Sequence, residues 1–315
     1  MNASIAAVTA ASFRDLLAAD HVTHVPGVFD PVSAALAVRA GSRAVHLSGA
    51  AIAATLLARP GVEHTPATQI ADRAATVSPV LGGVPMLADA DAGYENRSDA
   101  VWTALAYERS GISALHLDDG ENAALAAARI AELAARVPQI VLIARATGTG
   151  MADTIARCRA YADAGADAVL PVGVDDRAGL GRIRAAVPGV RLAISRAETA
   201  TGGSTPTDAE LAAYGVRLVL HPLAAVRAAL EAMASAYRRI AEEGTTPPDD
   251  LLPWAEFTEL TGQVPVPPAP FIHSIPEYAV EPTPPPWLAP PRSAPARSTP
   301  VPAGTPEADL NRLGT

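Results

Sequence analysis

Between about residues 24 and 243, short apolar runs alternate eight times with longer Ala- and Leu-rich stretches of helical period. The runs at 24–29, 44–48, 85–90, 114–118, 140–145, 168–172, 191–195 and 217–221 read as buried strands. Segments at 31–40, 67–80, 97–110, 121–136, 151–164, 175–187, 207–213 and 223–242 read as the helices that follow them. Strands that are apolar throughout are covered on both faces, and a helix after each supplies the crossover that parallel pairing needs. Eight such units predict a parallel (β/α)8 barrel, with residues 11–19 as an added N-terminal helix. An open doubly wound sheet is the other arrangement of the same elements.

Two of these runs end in acids, at the strand ends where a barrel of this kind does its chemistry. In Pro85-Met86-Leu87-Ala88-Asp89-Ala90-Asp91, alternation puts Asp89 and Asp91 on one face. In Ala114-Leu115-His116-Leu117-Asp118-Asp119-Gly120, His116 and Asp118 share a face in the same way. Asp89, Asp91 and Asp118 together suit a hard divalent cation, Mg²⁺ with Mn²⁺ as the alternative, because such ions take oxygen ligands. The plainer reading is that these acids cap strand ends and begin loops.

What the composition lacks narrows the chemistry. No lysine occurs in the 315 residues, so all 24 basic side chains are arginine. A Schiff-base lysine and a lysine-bearing phosphate loop are thereby excluded. The single cysteine, Cys158, allows no internal disulfide and fits a reducing cytoplasm. A formal charge of −9 with no basic run argues against a nucleic-acid partner. No apolar stretch is long enough to span a membrane, and the N-terminus lacks the regions of a signal peptide. A cytoplasmic protein without a membrane partner is expected.

From Thr245 onward the character changes, since 18 of the 29 prolines fall there. The expected organisation is a barrel over 1–243, an extension over 244–280 and a proline-rich tail over 281–315. Trp254, Phe257, Phe271, Ile272 and Tyr278 suit the extension to packing on the barrel or on a neighbouring subunit. The tail is expected to carry little order.

Several short motifs, in order, resemble the isocitrate lyase/phosphoenolpyruvate mutase superfamily over about residues 12–243. They include Phe13-Arg14-Asp15-Leu16-Leu17, Leu47-Ser48-Gly49-Ala50-Ala51, Asp89-Ala90-Asp91-Ala92-Gly93-Tyr94, His116-Leu117-Asp118-Asp119, Ala144-Arg145 and Leu220-His221-Pro222-Leu223. The resemblance implies that Asp89, Asp91 and Asp118 hold Mg²⁺, partly through water, with Asp118 a shortened form of the usual Glu. It implies that Ser48, Gly49 and Ala50 supply a hydroxyl and N–H groups to the substrate's carboxylate and carbonyl oxygen, and that Arg145 neutralises substrate charge. Asp91 would also meet substrate. A small 2-oxo or dicarboxylic acid is the implied substrate, and a homo-oligomer, dimer or tetramer, the implied assembly. With a cation polarising the acid and amides and arginine beside it, a forming enolate would be stabilised.

The chain also departs from that pattern. The gating loop that follows the acidic strand in lyases of this kind, with its Lys, Cys, Gly and His, is missing, because Asp118-Asp119-Gly120 runs almost directly into a helix. Cys158 lies in a helical segment and cannot replace the loop cysteine. Gly61 stands where an Asp is usual, with Glu63 a distant substitute, and Val172 stands where a Glu is usual. Ser195 and Arg196 replace an Asn/Thr pair. Any proton must therefore move through His116, His221, Tyr94 or a bound water, histidine being the natural carrier near neutral pH. His46 should share the face of Ser48, deeper in the barrel. The expected function is Mg²⁺-dependent making or breaking of a C–C bond beside a 2-oxo carboxylate, by decarboxylation or a retro-aldol step. The alternatives are a non-catalytic acid-binding relative and a member retooled for another reaction.

Overall fold

The computed structural model describes residues 5–59, 65–90, 97–120, 122–198 and 205–262, all within one compact unit, Met1–Val264. Eight strands close into a parallel barrel in sequence order: β1 (Thr23–Val28), β2 (Val45–Leu47), β3 (Met86–Asp89), β4 (Ala114–Leu117), β5 (Val141–Ala146), β6 (Ala168–Pro171), β7 (Leu192–Ser195) and β8 (Val216–His221). Every strand falls within two residues of its expected bounds. Closure comes from β1 pairing with both β2 and β8. At that seam Gly27 faces the Pro222 carbonyl so closely that any Cβ would collide with it.

The surrounding helices are α2 (Pro31–Arg39), α3 (Gly49–Leu57), α4 (Ala67–Val77), α5 (Arg97–Arg109), α6 (Ala123–Arg136), α7 (Met151–Asp163), α8 (Arg177–Ala186), α9 (Asp208–Ala213) and α10 (Ala224–Glu243). Their starts are capped by side chains the sequence supplies: Asp30 for α2, Ser48 for α3, Asn122 for α6, Asp176 for α8 and Thr207 for α9. Two expectations are corrected. The helix expected over 67–80 stops at Val77 and tightens into a 3₁₀ turn, Ser78–Leu81, because Pro79 has no N–H to donate and its ring crowds the preceding turn. The segment Gly49–Leu57 was not expected as a helix of the ring; it is small and apolar, with Gly49, Ala51, Ile52 and Ala53 all buried, so it shows no polar face.

The N-terminal helix α1 (Ile5–Ala18) begins six residues before its expected start. Phe13, Leu16 and Leu17 are buried with Leu87, Ala114, Val141 and Ala168, the inward residues at the strand beginnings. The helix therefore plugs the end of the barrel opposite the acids. Arg14 fixes it there, donating to the Pro138 and Ile140 carbonyls at 2.9 Å each and to Asp167 Oδ1 at 3.2 Å. Burying Phe13 alone is worth roughly 2–3 kcal/mol.

Beyond the barrel, a further helix, α11 (Trp254–Leu260), lies against α2, where Glu256 comes within 3.7 Å of Arg39. Phe271, Ile272, Tyr278 and the proline-rich tail lie outside the described residues.

Candidate active site

Strand alternation sets the inward side chains in layers. Above Ala44, Leu87, Ala114, Val141 and Ala168 come His46, Asp89, His116, Ile143 and Leu170; two residues further along are Ser48, Asp118, Arg145 and Val172. Register carries His46 opposite Leu87 and Asp89 opposite His116, so three consecutive strands bring two imidazoles and a carboxylate together.

Asp89 is the centre of this group. Its Oδ1 lies 2.8 Å from His46 Nε2 and in direct contact with His116 Nε2, while its Oδ2 accepts the Gly49 N–H at 2.7 Å. Burial would raise its pKa, but the two imidazoles and their hydrogen bonds override that and hold the carboxyl well below its ordinary value. His116 is shifted the other way. Burial depresses it, the proximity of His46 and Arg145 depresses it further, and Asp89 only partly compensates. At neutral pH the group is an ionised carboxylate beside a neutral His116. The two Nε2 atoms stand 3.2 Å apart, and both Nδ1 atoms are buried without a hydrogen-bond partner among the described residues.

Nearer the mouth, Arg145 Nη1 meets Asp118 Oδ2 at 2.9 Å, with both side chains about a quarter exposed. Ser48 is fully buried and caps α3, its Oγ accepting the Ala51 N–H at 3.2 Å. With Gly49's N–H committed to Asp89, Ala50, half-buried, is the first residue of α3 whose N–H makes no bond among the described residues.

Asp119 turns to the opposite face from Asp118, as alternation requires. It is buried and receives Arg157 Nη1 at 2.6 Å, the Tyr161 hydroxyl at 2.8 Å and the Thr147 N–H at 3.0 Å. This network ties the loop after β4 to the loop after β5 and to α7, so it positions Asp118 and Arg145. Sequence reasoning used Asp119 only as part of a motif. The signal for it was Arg157 and Tyr161, four apart on an expected helix and so on one face.

Other candidates are placed elsewhere. His221 has the parity of Val219, on the outer side of the barrel, whereas Leu220 points in. Its ring meets His24 Nδ1 at 2.9 Å and Glu198 Oε1 at 2.5 Å, and His24 in turn reaches Asp208 at 3.1 Å. The structure thus does not bring His221 together with Asp89 and His116. Cys158 is buried in α7 and burial pushes its thiol up to about 12, which removes it as an acid. Val172 packs against the inner cluster, and Arg196 donates to the Pro206 carbonyl at 3.4 Å. Asp91, Tyr94, Gly61 and Glu63 lie outside the described residues.

A closed barrel with a carboxylate, two imidazoles and an arginine–carboxylate pair on its inner wall has the architecture of an enzyme. A family model described as phosphoenolpyruvate phosphomutase matches residues 13–241. The 2,3-dimethylmalate lyase of Eubacterium barkeri is 28% identical over 277 residues, covering 81% of this chain and 94% of the relative. The oxaloacetate decarboxylase of Ectopseudomonas mendocina (strain ymp) is 32% identical over 282 residues, covering 79% and 94%. The solved structure of phosphonopyruvate hydrolase with oxalate and Mg²⁺ matches with a TM-score of 0.72 at 25% identity, over 81% of this chain and 95% of that one. The chain belongs to the phosphoenolpyruvate mutase/isocitrate lyase superfamily, in which these close relatives include carbon–carbon lyases. Among the described residues, no helix is long and apolar enough to cross a membrane.

Proposed function

We propose that this chain is a cytoplasmic, divalent-cation-dependent lyase that makes or breaks the C–C bond next to a 2-oxo carboxylate. The observation that carries the reading is the pairing of Arg145 with Asp118 at 2.9 Å, one layer above an ionised Asp89. A guanidinium held by one carboxylate at a barrel mouth can exchange it for the carboxylate of a substrate, at little change in charge balance. Relatives acting on oxaloacetate and 2,3-dimethylmalate, and one holding oxalate, support a small acid as that substrate.

The remaining residues divide the work. Asp89, Asp91 and Asp118 would hold a divalent cation, Mg²⁺ or Mn²⁺, which would supply Lewis-acid polarisation of the 2-oxo acid. The donor set fits such an ion, because Asp89 is held ionised at the inner wall with Asp118 one layer above it. Ala50's N–H, at the positive end of α3, stabilises negative charge on the substrate oxygen as it forms. Ser48 fixes the turn that aims it. His116, in direct contact with Asp89 one layer beneath Asp118, is the described imidazole through which the proton that bond cleavage requires would move.

The test is proton NMR of the full chain with Mg²⁺ or Mn²⁺ and a panel of 2-oxo acids including oxaloacetate, in deuterated buffer. Cation-dependent product, or deuterium uptake at C3 that is lost in Asp118→Asn, supports the reading. No turnover and no exchange of any acid, with every acid nonetheless bound, would move the chain to the acid-binding alternative.

A further inference from the structure

The residues beneath the proposed site carry a more specific message about the cation. His46 Nε2, His116 Nε2 and Asp89 Oδ1 form a small triangle, with His46–Asp89 at 2.8 Å, His46–His116 at 3.2 Å and the third side shorter. Ligands about 2.0–2.2 Å from a divalent transition ion stand about 3 Å apart, so the first two sides already match neighbouring positions of one coordination shell. Among the described residues it is the one place where three such ligand groups converge.

Hydrogen bonding alone accounts poorly for the triangle. Both imidazoles must donate to the same oxygen, Asp89 Oδ1. A carboxylate bound only by hydrogen bonds has a second oxygen for a second donor, but here Oδ2 is taken by Gly49. The fold thus brings two imidazole nitrogens and one carboxylate oxygen to a common point, where a cation between them could take all three as ligands.

We propose that the cation bound at Asp89 is a borderline transition ion such as Co²⁺, Fe²⁺ or Zn²⁺, with His46 and His116 as its nitrogen ligands, in preference to Mg²⁺. Imidazole suits these ions, and their affinity for nitrogen-containing sites rises across the first row, whereas Mg²⁺ keeps to oxygen and water. The inference rests on the proposed function only in taking Asp89 as a cation ligand. Asp118 and Asp91 are not needed for it.

The experiment uses the full chain stripped with chelator. Titration with Co²⁺, followed by its visible spectrum, and with Mg²⁺, followed by calorimetry, is expected to show Co²⁺ binding at least 100-fold more tightly. His46→Gln keeps an N–H donor for Asp89, and is expected to weaken Co²⁺ at least tenfold while moving Mg²⁺ affinity less than twofold. In the unmutated protein, Zn²⁺ should shift the ring ¹⁵N signals of two histidines, a readout that does not depend on any variant folding. Equal affinities, unchanged Co²⁺ binding in His46→Gln and unmoved imidazole signals would overturn the inference. If Mg²⁺ binding is then lost in Asp118→Asn, the oxygen-ligand reading of the site survives alone. Absence of any cation binding would overturn both.

Discussion

Arg145, the fifth residue of β5, holds Asp118, just past the end of β4, at 2.9 Å. The pair joins two strands that are neighbours in the barrel, and both groups lie at the open end with the inward parity of His116 and Ile143. A bidentate, planar cation is better matched to a carboxylate than an ammonium on a flexible stem. Arg145→Lys should therefore lower kcat/KM on the active 2-oxo acid by about 100-fold, close to 2.7 kcal/mol of lost stabilisation. Steady-state kinetics would check this, and a change under threefold would remove Arg145 from the substrate site.

Asp119 makes the opposite kind of prediction. Its side chain is 1% exposed and that of its partner Arg157 10%, so truncation leaves the guanidinium with Asp153 and strands a hydroxyl and a backbone N–H. Asp119→Ala should destabilise the protein by about 3–5 kcal/mol. Urea unfolding would measure it. Asp119→Asn, which keeps an acceptor, should lose less.

Cys158 is expected to be inert in the native state. Burial pushes its thiol up to about 12, so iodoacetamide should label it only after unfolding. The sign of the linkage follows. The unfolded thiol ionises near about pH 8.5, and above that the unfolded state sheds a proton that the folded state keeps. The contribution is complete below that pH and is lost progressively as pH rises toward 12. Cys158→Ser should flatten that decline, as read by thermal melts in an alkaline series.

Self-association should run through α10. Leu230, Met233, Tyr237 and Ile240 are spaced three and four apart along it and are all exposed, an apolar stripe on a helix whose one buried residue is Val226 near its start. Light scattering is expected to give a dimer or tetramer, and Tyr237→Glu to lower the mass without lowering the melting temperature. A monomer at all concentrations would remove the oligomer from the reading.

The eight strands and most helices were legible because each obeys a local rule: short apolar runs for strands on both-sided burial, capped alternation for helices. Where local rules conflict, the sequence misleads by a few residues. Pro79 ends α4 early, and α3, apolar but for Thr55, carries no period to reveal it. The inward sets His46–Ser48, Asp89 and His116–Asp118 were also readable, since parity along a strand is a local property. The outward position of His221 follows from the same parity, but the sequence does not say which parity faces in at β8, where apolar residues lie on both sides.

Local chemistry alone therefore determined the eight strand–helix units, the acid-bearing strand ends and the absence of lysine catalysis; the pairing of β1 with β8 decided for the closed barrel over the open sheet. Only the closed structure decided which groups meet. That Asp89 takes both His46 and His116, 43 and 27 residues away, depends on the stagger between neighbouring strands. That Arg145 turns to Asp118 while Arg157 turns to Asp119 depends on which helix covers which face. Stagger and helix docking are set by packing summed over the whole barrel, and no single segment encodes them.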